Sequence, residues 1–331
     1  MQIYAITSWS LLFAQEVSTV RELISFFVSN LLSLVLWHDV KRKRHLIKSL
    51  VLKHQGSEIH LETKKNHVSV IINICLTAIV LIQVVLTVLC VYLLFHSSVE
   101  YRKYFSLLMD IENGNVASII ITAMIIFMTY TVLLKLPALI AVLAGTLYYK
   151  CSELLANVSK SMEDMRCLVP QYREIFKIFQ NYNELFKMVN EVEETFSSTS
   201  FLVLCSQWIN LYLVLVTYFK IEDRGFSTAV SWECFARLIL GSLTVVGVVL
   251  CASRISSQVR RIQTSLQLIH NSLMKDEEKN RRVIEVVKSM IDMEFPQMTA
   301  YGFVELKPEF IFSAFGSVLT YGLLVLNLKK E

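Results

Sequence analysis

Charge is what this sequence has least of. Of 331 residues, 18% are Asp, Glu, Lys or Arg while 54% are hydrophobic, against about 25% charged in an ordinary soluble domain. Length alone would suggest two or three soluble domains; the shortage of charge excludes that reading. Proline is scarcer still, four residues in all, and only Pro137 falls inside an apolar run. With no internal repeat either, the pattern of broken helices and midplane charges found in many secondary transporters is missing. The seven cysteines form no CxxC or other metal-ligand spacing, and four of them lie in apolar runs as small hydrophobes. No Ser-His-Asp set, HExxH or phosphate loop is present. The seven histidines stand mostly outside the apolar runs, with His45 and His60 among basic residues. We therefore expect no enzyme, catalytic residue, metal or cofactor. The net charge of +4 is spread over several loops with no aromatic-interleaved patch, so nucleic acid is not an expected partner. The first 14 residues have no basic start, and a cleavable signal peptide is not expected.

What is present comes in blocks. Residues 68–94, 200–219, 238–253 and 310–328 contain no charge, and 116–149 contains only Lys135. Roughly 20 apolar residues cross a hydrocarbon core of about 30 Å. The fold class is therefore an all-α integral membrane protein with membrane lipid as its surroundings. Residues 23–37 form a sixth, shorter candidate, giving six clear spans. Residues 1–20 hold a truncated or remnant first helix.

The basic residues orient these spans. Segment 39–67 holds eight Lys and Arg, 98–116 two, 150–199 six, 220–233 two and 254–308 nine. By the positive-inside bias, loops 39–67, 150–199 and 254–307 are cytoplasmic and the C-terminus is extracellular. An external C-terminus excludes the heptahelical G-protein-coupled plan, and that family's Asp-Arg-Tyr and Asn-Pro-x-x-Tyr motifs are absent.

The internal segments are patterned. Ile175, Ile178, Tyr182, Leu185, Val189, Val192 and Phe196 recur at steps of three and four, as do Ile255, Val259, Ile262, Leu266, Ile269 and Leu273. Such seams want a partner helix. As one helix, 116–149 would be about 50 Å long, so helices run on from the membrane into the cytoplasm and pack there. Lys135 then reaches the inner interface and snorkels, and Pro137 kinks the helix. This divides the chain into a transmembrane sensing region (1–253, with its cytoplasmic helix 150–199), a cytoplasmic helical anchor (254–307) and a last helix with tail (308–331).

The last helix differs in character. Ser313, Ser317, Thr320, Leu324 and Asn327 are spaced four, three, four and three, and share one face. A polar stripe on a spanning helix faces protein or water, since lipid cannot satisfy it. Two readings are open: small residues packing against a neighbouring helix, or one wall of a pore completed by several copies, with Leu324 as a gating constriction.

Thr320 and Tyr321, followed by Gly322, Leu323, Leu324, Val325 and Leu326 and then Asn327 and Leu328, resemble the insect gustatory receptor signature Thr-Tyr, five hydrophobic residues, Gln-Phe. Asn327 stands in place of glutamine and Leu328 in place of phenylalanine. Upstream, Thr299, Ala300, Gly302 and Phe303 resemble that family's Thr-Ala-x-Gly-Phe, and Ser313, Phe315 and Gly316 fit the start of its final helix. The resemblance extends over most of the chain beyond about residue 68, although only the C-terminal motif is specific. It implies a seven-helix insect chemoreceptor of the plasma membrane: a tastant-gated, nonselective cation channel passing monovalent and divalent cations. It also implies a tetramer, of like chains or with related receptors, with each last helix lining a central pore. A small-molecule tastant would sit among the outer halves of the preceding spans, with Tyr92, Thr122, Asn210, Tyr212, Tyr218 and Arg237 as candidates by depth. The two substitutions keep open a non-conducting or partner-dependent subunit, and a secondary transporter is the more distant alternative.

Overall fold

The computed structural model describes residues 20–60, 65–96, 116–165, 172–224 and 228–327. Its helices are α1 (Val20–Arg42), α2 (Arg44–His60), α3 (Lys65–His96), α4 (Val116–Tyr130), α5 (Leu136–Met165), α6 (Tyr172–Arg224), α7 (Thr228–Leu273), α8 (Glu277–Ile291) and α9 (Pro308–Asn327). A π segment (Thr131–Lys135) joins α4 to α5, and a 3-10 turn (Met274–Asp276) joins α7 to α8. Two short strands, β1 (Thr299–Ala300) and β2 (Val304–Glu305), pair antiparallel just before α9. Of the truncated or remnant first helix expected over residues 1–20, residues 1–19 lie outside the described residues.

Four described helices carry apolar stretches long enough to cross a membrane, Ser69–Tyr92, Ile119–Asp164, Ile175–Val216 and Cys234–Leu273, and Pro308–Leu324 adds a shorter one. Their outward faces are apolar. Along α3, Val70, Ile71, Ile74, Val80, Leu81, Val84, Val85 and Val88 are all exposed. In water so wide a patch would be an aggregation site; against lipid tails it is the surface the bilayer requires.

At 53 residues, α6 is about 80 Å long, more than twice the hydrocarbon thickness, and its N-terminal half is where the protein is packed. From the first seam Ile175, Tyr182, Leu185, Val189, Val192 and Phe196 are buried, and from the second Ile255, Ile262, Leu266, Ile269 and Leu273. Both seams join one core with Leu147, Leu155 and Met162 of α5 and Val283, Val287 and Met290 of α8. Tyr182 Oη donates to the Met290 carbonyl at 3.2 Å. The Phe295 ring meets Tyr182 and Phe186 edge-on at 5.1 and 5.3 Å. Where α6 enters its apolar stretch, α1 is bolted to it. Lys43 Nζ donates to the Thr195 carbonyl (2.8 Å) and Ser198 Oγ (2.5 Å) and pairs with Asp39 (3.3 Å). Asp39 Oδ2 in turn accepts from Thr199 Oγ1 at 2.6 Å. Further along, Gly241 lets α7 approach α6 closely: a Cβ there would lie 3.2 Å from Gln207 Oε1 and 3.3 Å from Leu211.

The expected continuous helix over 116–149 is interrupted. The Leu136 N–H bonds the Thr131 carbonyl, five residues back. Pro137 has no N–H, and its ring would crowd the carbonyl four residues before it. The widened π turn accommodates this, so the irregularity precedes the proline instead of sitting on it. Lys135 closes that turn and is half-buried.

Candidate functional site

Pro308 opens α9 at a position where its missing N–H costs nothing, and Glu309 stands at the positive end of the helix dipole. One side of α9 packs on its own chain. Val318 and Gly322 are buried, and Phe310, Ala314 and Phe315 are partly covered against α6 and α7. The polar stripe lies off this side. Ser313, Thr320 and Leu324 are exposed and Ser317 is half-buried, while the Asn327 side chain lies outside the described residues. Leu324 is 53% exposed and Val318 4%, so packing within the subunit centres on Val318, while Ser313 and Ser317 at the stripe's inner edge also line the cavity behind the helix. Leu319 and Leu323 are exposed too, so α9 offers an apolar face and a polar face to whatever lies beside it.

The stripe's hydroxyls are oriented by their own helix. Ser317 Oγ donates to the Ser313 carbonyl and Thr320 Oγ1 to the Gly316 carbonyl, each at 2.8 Å. With the proton turned inward, each oxygen presents only acceptor lone pairs outward. That surface suits a cation or water better than an anion.

Behind α9 lies an apolar cavity of about 130 Å³, lined by Phe201, Leu204, Cys205 and Trp208 of α6, Val245 of α7 and the inner part of α9. None of the six candidate ligand residues lines it. Of these, Thr122 on α4 and Asn210 on α6 are buried, Tyr212 and Arg237 are half-buried and Tyr92 is exposed. The Tyr218 side chain lies outside the described residues. Asn210 Oδ1 accepts from Ser29 Oγ of α1 at 2.8 Å, and its Nδ2 is buried with no partner among the described residues.

Sequence reasoning named Thr299, Gly302 and Phe303 as a motif and missed what they build. Tyr301 (φ 57°) and Gly302 (φ 72°) are both left-handed, in a three-residue loop between the paired Ala300 and Val304. Phe303 N–H bonds Ala300 O at 3.2 Å, and Leu306 N–H bonds Met298 O at 3.0 Å. The Tyr301 and Phe303 rings stack at 5.6 Å and lie against Phe201 of α6. The legible signal was the Tyr-Gly pair itself, since glycine enters such a turn without strain.

The profile of the 7tm chemosensory receptor family matches residues 17–327. The chain belongs to this family. No curated protein matches the receptor in sequence. Its fold is similar to that of the insect olfactory receptor OR5 from Machilis hrabei. The complex of OR5 with eugenol superposes with a TM-score of 0.71 at 11% identity, covering 99% of the receptor and 87% of that chain. The OR5 structure without eugenol gives 0.63 at 13% identity, covering 99% and 86%. At such identities the likeness is one of fold: all-helical, with the apolar spans running on into packed extensions.

Proposed function

We propose that this receptor is a gustatory receptor acting as a tastant-gated, nonselective cation channel. Four subunits, alike or from related receptors, stand around an axis lined by α9. The observation that carries the reading is the stripe of α9, of which Ser313, Thr320 and Leu324 are exposed. Its lone pairs would help dehydrating cations along the wall. Leu324 would close the path by excluding water where four such side chains meet. The charge counts support cytoplasmic segments 39–67, 150–199 and 254–307 and an extracellular C-terminus in the plasma membrane. A small tastant bound among the outer halves of the spans shifts the equilibrium by binding the open arrangement more tightly. The OR5 complex holds eugenol, which supports a small-molecule ligand on this fold. Asn327 and Leu328 in the signature favour a second reading, a subunit that conducts only beside a related receptor.

Cysteine scanning of α9 tests the pore. Cells expressing the chain alone, and with related receptors, are recorded against a tastant panel while water-soluble thiol reagents are applied. Block at positions 320, 324 and 327 with indifference at 319, 323 and 326 is the expected result. Block on the opposite set refutes it.

A further inference from the structure

One carboxylate of α6 decides how the last helix begins. Glu193 lies in the charged N-terminal part of the Ile175–Val216 stretch, before the uncharged run that starts at Ser200 and on a turn carrying Glu191 and Glu194 as well, and so outside the hydrocarbon. Its Oε1 accepts the Thr299 N–H at 3.0 Å and the Thr299 hydroxyl at 2.5 Å. Thr299 Oγ1 accepts the Gly302 N–H at 3.1 Å. One turn along α6, Ser197 Oγ accepts the Tyr301 N–H at 2.9 Å and donates to the Thr299 carbonyl at 3.0 Å. The Tyr301 amide is thus tied directly to α6, and the Gly302 amide through the Thr299 hydroxyl. The second strand leads through Leu306 and Lys307 straight into Pro308.

The other carboxylate oxygen, Oε2, is sealed from solvent and meets no hydrogen-bond partner among the described residues. An anion with one oxygen in that state is costly. A neutral acid costs less: Oε2 carries the proton, and Oε1, now a carbonyl oxygen, still accepts both bonds from Thr299. No cation relieves the charge among the described residues. On its own helix Glu191 is paired with Lys53 of α2 and Glu194 is exposed. From α5 the ionisable groups are Tyr148, which feels the Glu193 charge, and its neighbour Cys151. Asp39 of α1 and Lys43, in the turn after it, pair with each other and are occupied with Thr195, Ser198 and Thr199. Arg254 of α7 lies over the Tyr149 ring, and the hairpin's Glu305 and Lys307 pair with each other.

We propose that Glu193 is the positioning residue of the last helix: as the neutral acid it locks the Thr299–Gly302 turn to α6, and its ionisation loosens the turn and the start of α9. Burial pushes its carboxyl above the usual range, with the two bonds from Thr299 pulling the other way. For an acid raised on folding, the lock is complete at low pH and is lost as pH rises through the raised value. The effect on current rests on the pore reading above; the lock itself does not.

The test is amide hydrogen exchange at Tyr301 and Gly302 in the full-length receptor in nanodiscs, corrected for the intrinsic pH dependence of exchange. As pH rises through the raised value, protection is expected to fall by roughly tenfold. Glu193→Gln should keep high protection at every pH, because its amide carbonyl accepts the same two bonds and its nitrogen replaces the protonated oxygen. Glu194→Gln should retain the wild-type slope. A flat wild-type profile, or a Glu193→Gln profile with the wild-type slope, overturns the proposal. Recording current from the same variants separates the two claims. A receptor that conducts with flat protection removes Glu193 from its role and spares the channel. Sloping protection in a chain that never conducts, alone or with partners, supports Glu193 and removes the channel.

Discussion

Replacing Lys43 with methionine should cost the receptor more stability than any surface change, and the geometry says how much. The ammonium gives up the Thr195 carbonyl, Ser198 Oγ and Asp39 in one step. Its side chain is 9% exposed and that of Asp39 12%, so solvent screens the pair little. Breaking such a pair costs about 3–5 kcal/mol because one charge is left buried alone. Here the lower end applies, since Asp39 keeps hydroxyl donors from Thr199 and Ser198. Asp39→Asn retains an acceptor for Thr199 and leaves Lys43 two oxygen partners, so about 2 kcal/mol is expected. The double variant should fall short of the sum by about 2 kcal/mol, as contacting residues do. At about 2.1 cal/mol/K per residue over 331 residues, 3 kcal/mol lowers the melting temperature by roughly 4 °C. Heating detergent-solubilised receptor and reading the surviving peak by fluorescence-detected size exclusion measures all four corners of the cycle. Single variants within a degree of wild type, or a strictly additive double, would refute the argument that this pair bolts α1 to α6.

Three further outcomes are expected. Leu185→Glu puts a charge into a seam position that is 7% exposed, at a cost of several kcal/mol, so the assembled receptor should vanish from size exclusion; a wild-type-like assembly would show the seam to be solvated. Leu324→Ser should wet the closed constriction and raise current without tastant, an effect absent if α9 lies away from the conduction path. Asn157 and Ser159 form a sequon on α5; expressed in insect cells, Asn157 should carry no sugar, and mass spectrometric detection of a glycan there would reverse the orientation.

Both seams were legible because burial in a helical bundle repeats every three to four residues whatever the bundle is for. Ile175 through Phe196 could be read as an inward face with no knowledge of α5 or α8. The spans were legible for the same kind of reason, since lipid tolerates so few charges. The π segment was not, because Thr131 to Lys135 look like any helix and only the proline two residues later hints at trouble. Glu193 was invisible for a different reason. It is one of several glutamates on a polar helix flank, and nothing in its spacing separates it from Glu184 or Glu194. Its role comes from a hairpin more than a hundred residues away in sequence. The stripe of α9 was legible as a face, while the burial of Val318 and Gly322 was needed to show which side belongs to the subunit itself.

The unbroken run of α6 across the edge of the membrane has a mechanical consequence. A rod with no joint between Phe196 and Val216 cannot bend at the boundary to absorb a disturbance, so displacement at one end must reappear at the other as tilt. Twenty residues make a lever arm of about 30 Å, and each degree of tilt about the seam sweeps its far end by roughly 0.5 Å. Information crosses such a receptor as angle, and its fidelity is set by the stiffness of the clamp at the fulcrum.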